Sequence, residues 1–135
     1  MADVCDGPRL AEVVATLKPE GCIHLAGIAF VPTGWSHPEL VFEVNLNGTL
    51  NLLEAFREQA PQARLLVISS AQIYGVRVGE PPMDEDAPFA PGSLYAVSKL
   101  AADLTTLLYA RRYGLATMTA RPCNHIGPGQ SIEFV

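Results

Sequence analysis

Apolar residues follow two alternating rhythms along this chain. Leu10, Val13, Val14 and Leu17 recur at helical spacing, and Pro19 closes that segment. Cys22-Ile23-His24-Leu25-Ala26 is a short apolar run ended by Gly27, which predicts a buried strand. Pro38 opens a long helix running to about Ala60, before Pro61. Val41, Val44, Leu52, Ala55 and Phe56 lie on one side of it and Leu46, Leu50 and Leu53 on another, so two faces seek burial. Arg64 to Ser69 is the clearest strand, a continuous apolar run of the kind a parallel sheet buries on both sides. A long loop rich in Pro, Gly and acidic residues spans 75–92. A helix follows over 93–113, with Val97, Leu100, Leu104, Leu107 and Leu108 in register and Gly114 as its C-terminal cap. Leu115 to Ala120 is the last strand, and a Gly/Pro-rich loop runs from Arg121 to Gln130.

Such alternation of helix and strand predicts an α/β fold with a parallel sheet, its ligands at the carboxyl ends of the strands. The 135 residues fit one domain, 1–135. Nucleotide-binding domains of this class open with a strand, a Gly-rich turn and a helix. The chain contains no GxGxxG and begins instead with a helix, so it reads as the middle of something larger.

With 49% hydrophobic and 17% charged residues, the composition argues against disorder. The net charge of −5, with no run of Lys or Arg, argues against a nucleic-acid partner. No segment has the length of a membrane span and no signal-peptide pattern is visible, so a soluble, cytoplasmic protein is expected. Cys5, Cys22 and Cys123 are widely spaced, without CxxC or zinc-type Cys/His spacing. They read as reduced thiols, and no metal site is expected.

The candidate chemistry lies at the predicted strand ends. Tyr95 and Lys99 are four residues apart on a helix and share a face. Tyrosine is a poor acid–base group near neutrality, and an ammonium beside it stabilises the phenolate. Ser69 and Ser70 end the strongest strand, where a hydroxyl can bond a substrate carbonyl. Ser69 reads as satisfying backbone groups as the strand ends, and for Ser70 the functional reading is preferred. His24 reads as a buried, hydrogen-bonded histidine rather than a catalyst. In Asn45-Leu46-Asn47-Gly48-Thr49, weak helix formers interrupt an apolar helix, and Asn45 reads as bracing a neighbouring strand. Asn124 can donate and accept, which suits a sugar or phosphate; Arg121 and His125 stay open.

Taken together, these segments resemble the extended short-chain dehydrogenase/reductase family, the nucleotide-sugar epimerases, dehydratases and reductases. His24-Leu25-Ala26-Gly27 looks like its fourth-strand cofactor motif, and Asn45 to Thr49 like its Asn-x-x-Gly-Thr helix. Ser69-Ser70-Ala71-Gln72-Ile73-Tyr74-Gly75 resembles its Ser-Ser-x-x-Val-Tyr-Gly segment, and Tyr95 to Lys99 its active-site helix. Any one of these is weak; the ordered set is specific and covers nearly the whole chain.

The resemblance implies a partial Rossmann-type, doubly wound parallel sheet lacking the first two strand–helix units and the C-terminal substrate domain. It makes Ser70, Tyr95 and Lys99 the catalytic residues. Tyr95 would be the general acid or base, and Ser70 would orient the carbonyl during hydride transfer. Lys99 would hold the nicotinamide ribose and lower the tyrosine pKa. NAD(P)H is the implied cofactor. Asp3 and Val4 would meet its adenine end, and Leu25, Ala26, Gly27, Asn45, Ser69 and Pro122 would also contact it. Ser70, Gln72 and Asn124 would meet the substrate.

The family's 4,6-dehydratases carry an acid where this chain has Gln72, and an amide cannot be the elimination base. Asn124 to Gln130, with Phe134 and Val135, looks most like the family's GDP-4-keto-6-deoxymannose reductases. The expected function is NAD(P)H-dependent reduction of the 4-keto group of a GDP-4-keto-6-deoxyhexose, inactive in 135 residues alone. The alternatives are a nucleotide-sugar 4-epimerase fragment and a non-catalytic α/β module that has lost cofactor binding. The resemblance also implies a homodimer through helices 38–60 and 93–113.

Overall fold

A computed structural model describes residues 2–76 and 82–130. Residues 77–81 of the predicted 75–92 loop, and Phe134 and Val135, lie outside the described residues. Three parallel strands, β1 (Gly21–His24), β2 (Arg64–Ile68) and β3 (Ala116–Ala120), form a sheet in the order β1-β2-β3. Their register sets His24 beside Val67 and Ile68 beside Ala120, so the carboxyl ends of all three strands open on one edge.

Helix α1 (Gly7–Leu17) is capped by Asp6, whose carboxylate accepts from the Arg9 amide at 3.0 Å. It ends at Lys18, in left-handed conformation just before Pro19. A short helix α2 (Val31–Ser36), which the sequence pattern does not announce, follows β1. The predicted 38–60 helix forms as α3 (Pro38–Phe42), a π-helical turn (Glu43–Asn47) and α4 (Gly48–Gln59). Helix α5 (Leu94–Tyr113) starts at Ser93, whose hydroxyl accepts from the Ala96 amide at 3.1 Å, and stops at Gly114 with φ 70°. That glycine is the expected C-terminal cap.

The core gathers Leu10 and Val14 of α1, Leu52, Leu53, Ala55 and Phe56 of α4, and Leu65 and Val67 of β2. Burial of each large aliphatic side chain contributes roughly 1.5–3 kcal/mol. Leu53, on the second apolar face of its helix, is fully buried inside this chain. Two expectations about faces change. Strand β2 is buried on one side only: Leu65 and Val67 point inward, while Leu66 aligns with the exposed Ile23 and Met118 on the other face. On α5 the apolar stripe faces outward, with Val97, Leu104 and Leu108 exposed. Ala96, Ser98, Ala102, Asp103 and Thr106 are buried instead, because small residues let the helix lie close to its neighbours. The three cysteines are free.

Candidate active site

The end of β2 places the serines. Ser69 donates its amide to the Ala120 carbonyl at 2.7 Å, and the Ala71 amide bonds the Pro122 carbonyl at 2.9 Å. Between them Ser70 is extended and caps a 3-10 turn (Ala71–Tyr74), its Oγ accepting from the Gln72 amide at 3.2 Å. Ser70 and Tyr95 line the same cavity, and the Ser70 hydroxyl is the polar neighbour that acts on the Tyr95 phenol. Helix α5 brings Tyr95 and Lys99 to the same place, and the Lys99 ammonium donates to the Ile68 carbonyl.

Burial acts on both titrating groups. It pushes the Tyr95 phenol above its usual value, and the Ser70 hydrogen bond offsets part of that rise. It holds the Lys99 ammonium below its usual value, partly offset by the Asp103 carboxylate one turn away. The Lys99 ammonium is engaged with the Ile68 carbonyl, and the group that offsets part of the rise at Tyr95 is Ser70.

These side chains face an open cavity of about 670 Å³. It brings together Leu25, Gly27, Ser69, Ser70, Gln72, Tyr95, Lys99, Pro122 and Asn124 from the sequence-derived set. Gly27 is needed for space: a Cβ there would sit 3.1 Å from Asn45 Oδ1 and 3.9 Å from Lys99 Nζ. Ser69 Oγ is buried and, among the described residues, has no hydrogen-bond partner.

Asp3, Val4, Ala26 and Asn45 do not line the cavity. Asp3 is exposed and accepts from the Cys5 amide at 2.9 Å. Val4 packs on Gly48, and its carbonyl accepts from Asn51 Nδ2 at 3.0 Å. Asn45 is a brace behind the wall, its amide bonded to both backbone groups of Ile28 and to the Ser98 hydroxyl. Ser98 in turn donates to the Tyr95 carbonyl at 2.7 Å, so the π-helical turn steadies the start of α5. His24 is buried as read, 3.1 Å from Thr49 Oγ1, with its pKa pushed down to about 4 by burial and by Lys99.

Sequence reasoning missed the stretch Ile28 to Pro32, Cys123 and Gln130, which also line the cavity, and left His125 open although it lines it too. All follow the carboxyl ends of β1 or β3, the signal that found the serines. Arg121 is not on the wall; it pairs with the buried Asp103 at 2.9 Å. No lining residue among those described is a carboxylate.

Comparison with known proteins matches this arrangement to nucleotide-sugar enzymes. GDP-6-deoxy-D-mannose reductase of Pseudomonas aeruginosa is 42% identical over 118 residues, covering 87% of this chain and 39% of the relative. GDP-mannose 4,6-dehydratase of Vibrio cholerae is 32% identical, covering 98% of this chain and 36% of the relative. The structure of RMD from Pseudomonas aeruginosa complexed with NADPH superposes with a TM-score of 0.89 at 39% identity, over 97% of this chain and 44% of that one. The UDP-glucose 4-epimerase of Thermus thermophilus, in complex with NAD, gives a TM-score of 0.82 at 36% identity over 89% of this chain and 39% of that one. The chain thus spans about two-fifths of the length of these relatives. The GDP-mannose 4,6 dehydratase family matches residues 1–135, and the chain belongs to that family of NAD(P)-dependent nucleotide-sugar enzymes.

Proposed function

We propose that this chain carries the acid–base half of the active site of a nucleotide-sugar reductase. The reaction would be NAD(P)H-dependent reduction of the 4-keto group of a GDP-4-keto-6-deoxyhexose. The observation that carries the reading is the meeting of Ser70, Tyr95 and Lys99 in one cavity whose described lining residues include no carboxylate. Ketone reduction needs a proton donor for the nascent alkoxide. A phenol held above its usual pKa is protonated at neutral pH and can supply that proton.

The residues fit the nicotinamide end of a dinucleotide. Ser69 offers a buried hydroxyl with no partner among the described residues, and Gly27 clears the wall next to the Lys99 ammonium. Tyr95, Ser69 and Lys99 would hold that end, with Lys99 turning from the Ile68 carbonyl to sugar hydroxyls. When bound, the cofactor supplies the hydride. Ser70 would orient the carbonyl toward Tyr95, while Gln72 and Asn124 offer amide donors and acceptors to the sugar. An elimination would need a base that Gln72 cannot be. The exposed Val97, Leu104 and Leu108 on α5 support a homodimer through 38–60 and 93–113.

A chimera tests this reading, with residues 1–135 replacing the matching stretch of the Pseudomonas reductase. It is expected to oxidise NADPH with GDP-4-keto-6-deoxymannose and to leave UDP-glucose unchanged. Epimerisation of UDP-glucose, or NADPH binding without ketone reduction, would overturn it.

A further inference from the structure

Arg121 is the first residue after β3 and stands immediately before Pro122, yet its side chain turns away from the cavity. Its guanidinium makes a two-point pair with Asp103 of α5, Nε to Oδ2 at 2.9 Å and Nη2 to Oδ1 at 3.0 Å. Asp103 is fully buried, and Thr119 Oγ1 lies 3.4 Å from the same Oδ1. The remaining nitrogen, Nη1, donates to the Tyr74 hydroxyl at 2.5 Å and to the Glu85 carbonyl at 3.2 Å. The guanidinium also stacks 5.5 Å from the Tyr74 ring and 5.2 Å from the Phe89 ring. Tyr74 closes the 3-10 turn that Ser70 opens, and Asp103 lies one turn beyond Lys99 on the helix of Tyr95.

We propose that Arg121, held by Asp103, is a positioning residue that fixes the Ser70 hydroxyl against Tyr95. Three directions are needed from one side chain: to the helix that carries Tyr95 and Lys99, to the turn that carries Ser70, and to the backbone before α5. A planar five-donor fork meets all three, whereas a lysine ammonium cannot chelate the carboxylate and reach Tyr74 in the same geometry. The distance between Ser70 and Tyr95 is thus set from behind the site. The importance of that distance rests on the acid–base reading of the pair above.

The test needs no turnover, so its outcome is independent of whether the reductase assignment stands. The chain has four tyrosines, and labelling them with carbon-13 at Cζ gives a short spectrum in which Tyr95→Phe identifies the Tyr95 signal. Ser70→Ala is expected to shift that signal by removing the hydroxyl that acts on the phenol. Arg121→Lys is expected to shift it in the same direction, and Arg121→Lys added to Ser70→Ala to shift it no further. If Arg121→Lys does not fold, Tyr74→Phe serves, since it removes only the phenol contact and keeps the Asp103 pair. It is expected to move the Tyr95 signal in the same direction by a smaller amount. The proposal is overturned if Ser70→Ala leaves the signal in place, or if the folded arginine or tyrosine variant lowers the melting temperature without moving it. It is also overturned if the Ser70 and Arg121 shifts simply add.

Discussion

Asn45 grips Ile28 at both of its backbone groups. Its Oδ1 accepts from the Ile28 amide at 2.8 Å, and its Nδ2 donates to the Ile28 carbonyl at 3.1 Å and to Ser98 Oγ at 2.9 Å. The side chain is buried, so the stretch after β1 is tied to α5 through one amide. Asn45→Ala is expected to leave Ile28 unsatisfied at the cavity wall and to cost about 2–4 kcal/mol. Urea unfolding would show it as a lower midpoint at unchanged slope.

His24 predicts a pH dependence of stability. Burial and the Lys99 charge push its imidazole down to about 4 from an ordinary 6.5. Between those values the unfolded chain binds more protons than the folded one. The stabilisation is therefore complete above about pH 6.5 and is lost progressively as pH falls toward 4, by about 2–3 kcal/mol. Unfolding curves between pH 4 and 7 would check this, and His24→Gln is expected to flatten that slope.

Gly48→Ala pits helix propensity against packing. Alanine gains about 1 kcal/mol in a helix interior. A Cβ at this position would lie 2.8 Å from Val4 Cγ2 and 3.1 Å from Val4 Cβ, and overpacking of that kind costs about 1–3 kcal/mol. A net loss of about 1 kcal/mol is expected in thermal unfolding, with the opposite sign from propensity alone.

That glycine also shows what was legible in the sequence. Gly48 stands out as a poor helix former, but the reason is Val4, distant in sequence and visible only once the chain is folded. That Ser70, Tyr95 and Lys99 meet at one cavity was legible, since a strand end and a helix spacing of four place them and the ordered motifs single them out. The orientation of α5 was not. Periodicity locates Leu104 and Leu108 on one face, yet nothing local says that the face bearing Ala102 and Thr106 is the one that packs. The role of Arg121 was open for the same reason, since its partner Asp103 lies 18 positions away on another element. Helix α2 escaped because Val31-Pro32-Thr33-Gly34-Trp35 has no apolar period and contains a glycine and β-branched residues.

Tyr95→Phe tests the acid role. In the chimera it removes the proton donor while keeping the ring that packs at the start of α5. Loss of a general acid lowers turnover by about 10²–10⁴-fold. The loss is expected in kcat, with NADPH affinity and thermal midpoint little changed. Steady-state rates and fluorescence titration of the same preparation separate the two.

Cofactor affinity divides along the same line. Pyrophosphate binds well where free amide donors at a helix N-terminus approach it. Here the start of α1 is already capped by the Asp6 carboxylate, and that of α5 by the Ser93 hydroxyl. The 135 residues also hold no GxGxxG turn. On the function proposed above, what they would offer a dinucleotide is contacts to its nicotinamide end, through Ser69, Tyr95 and Lys99. NADPH titrated into the 135-residue chain is expected to bind with Kd weaker than about 1 mM, leaving less than about 4 kcal/mol for those contacts. The chimera, built on a relative whose structure is complexed with NADPH, is expected to bind far more tightly. Micromolar binding by the chain alone would mean that the cavity at the strand ends holds the dinucleotide without help from a helix N-terminus.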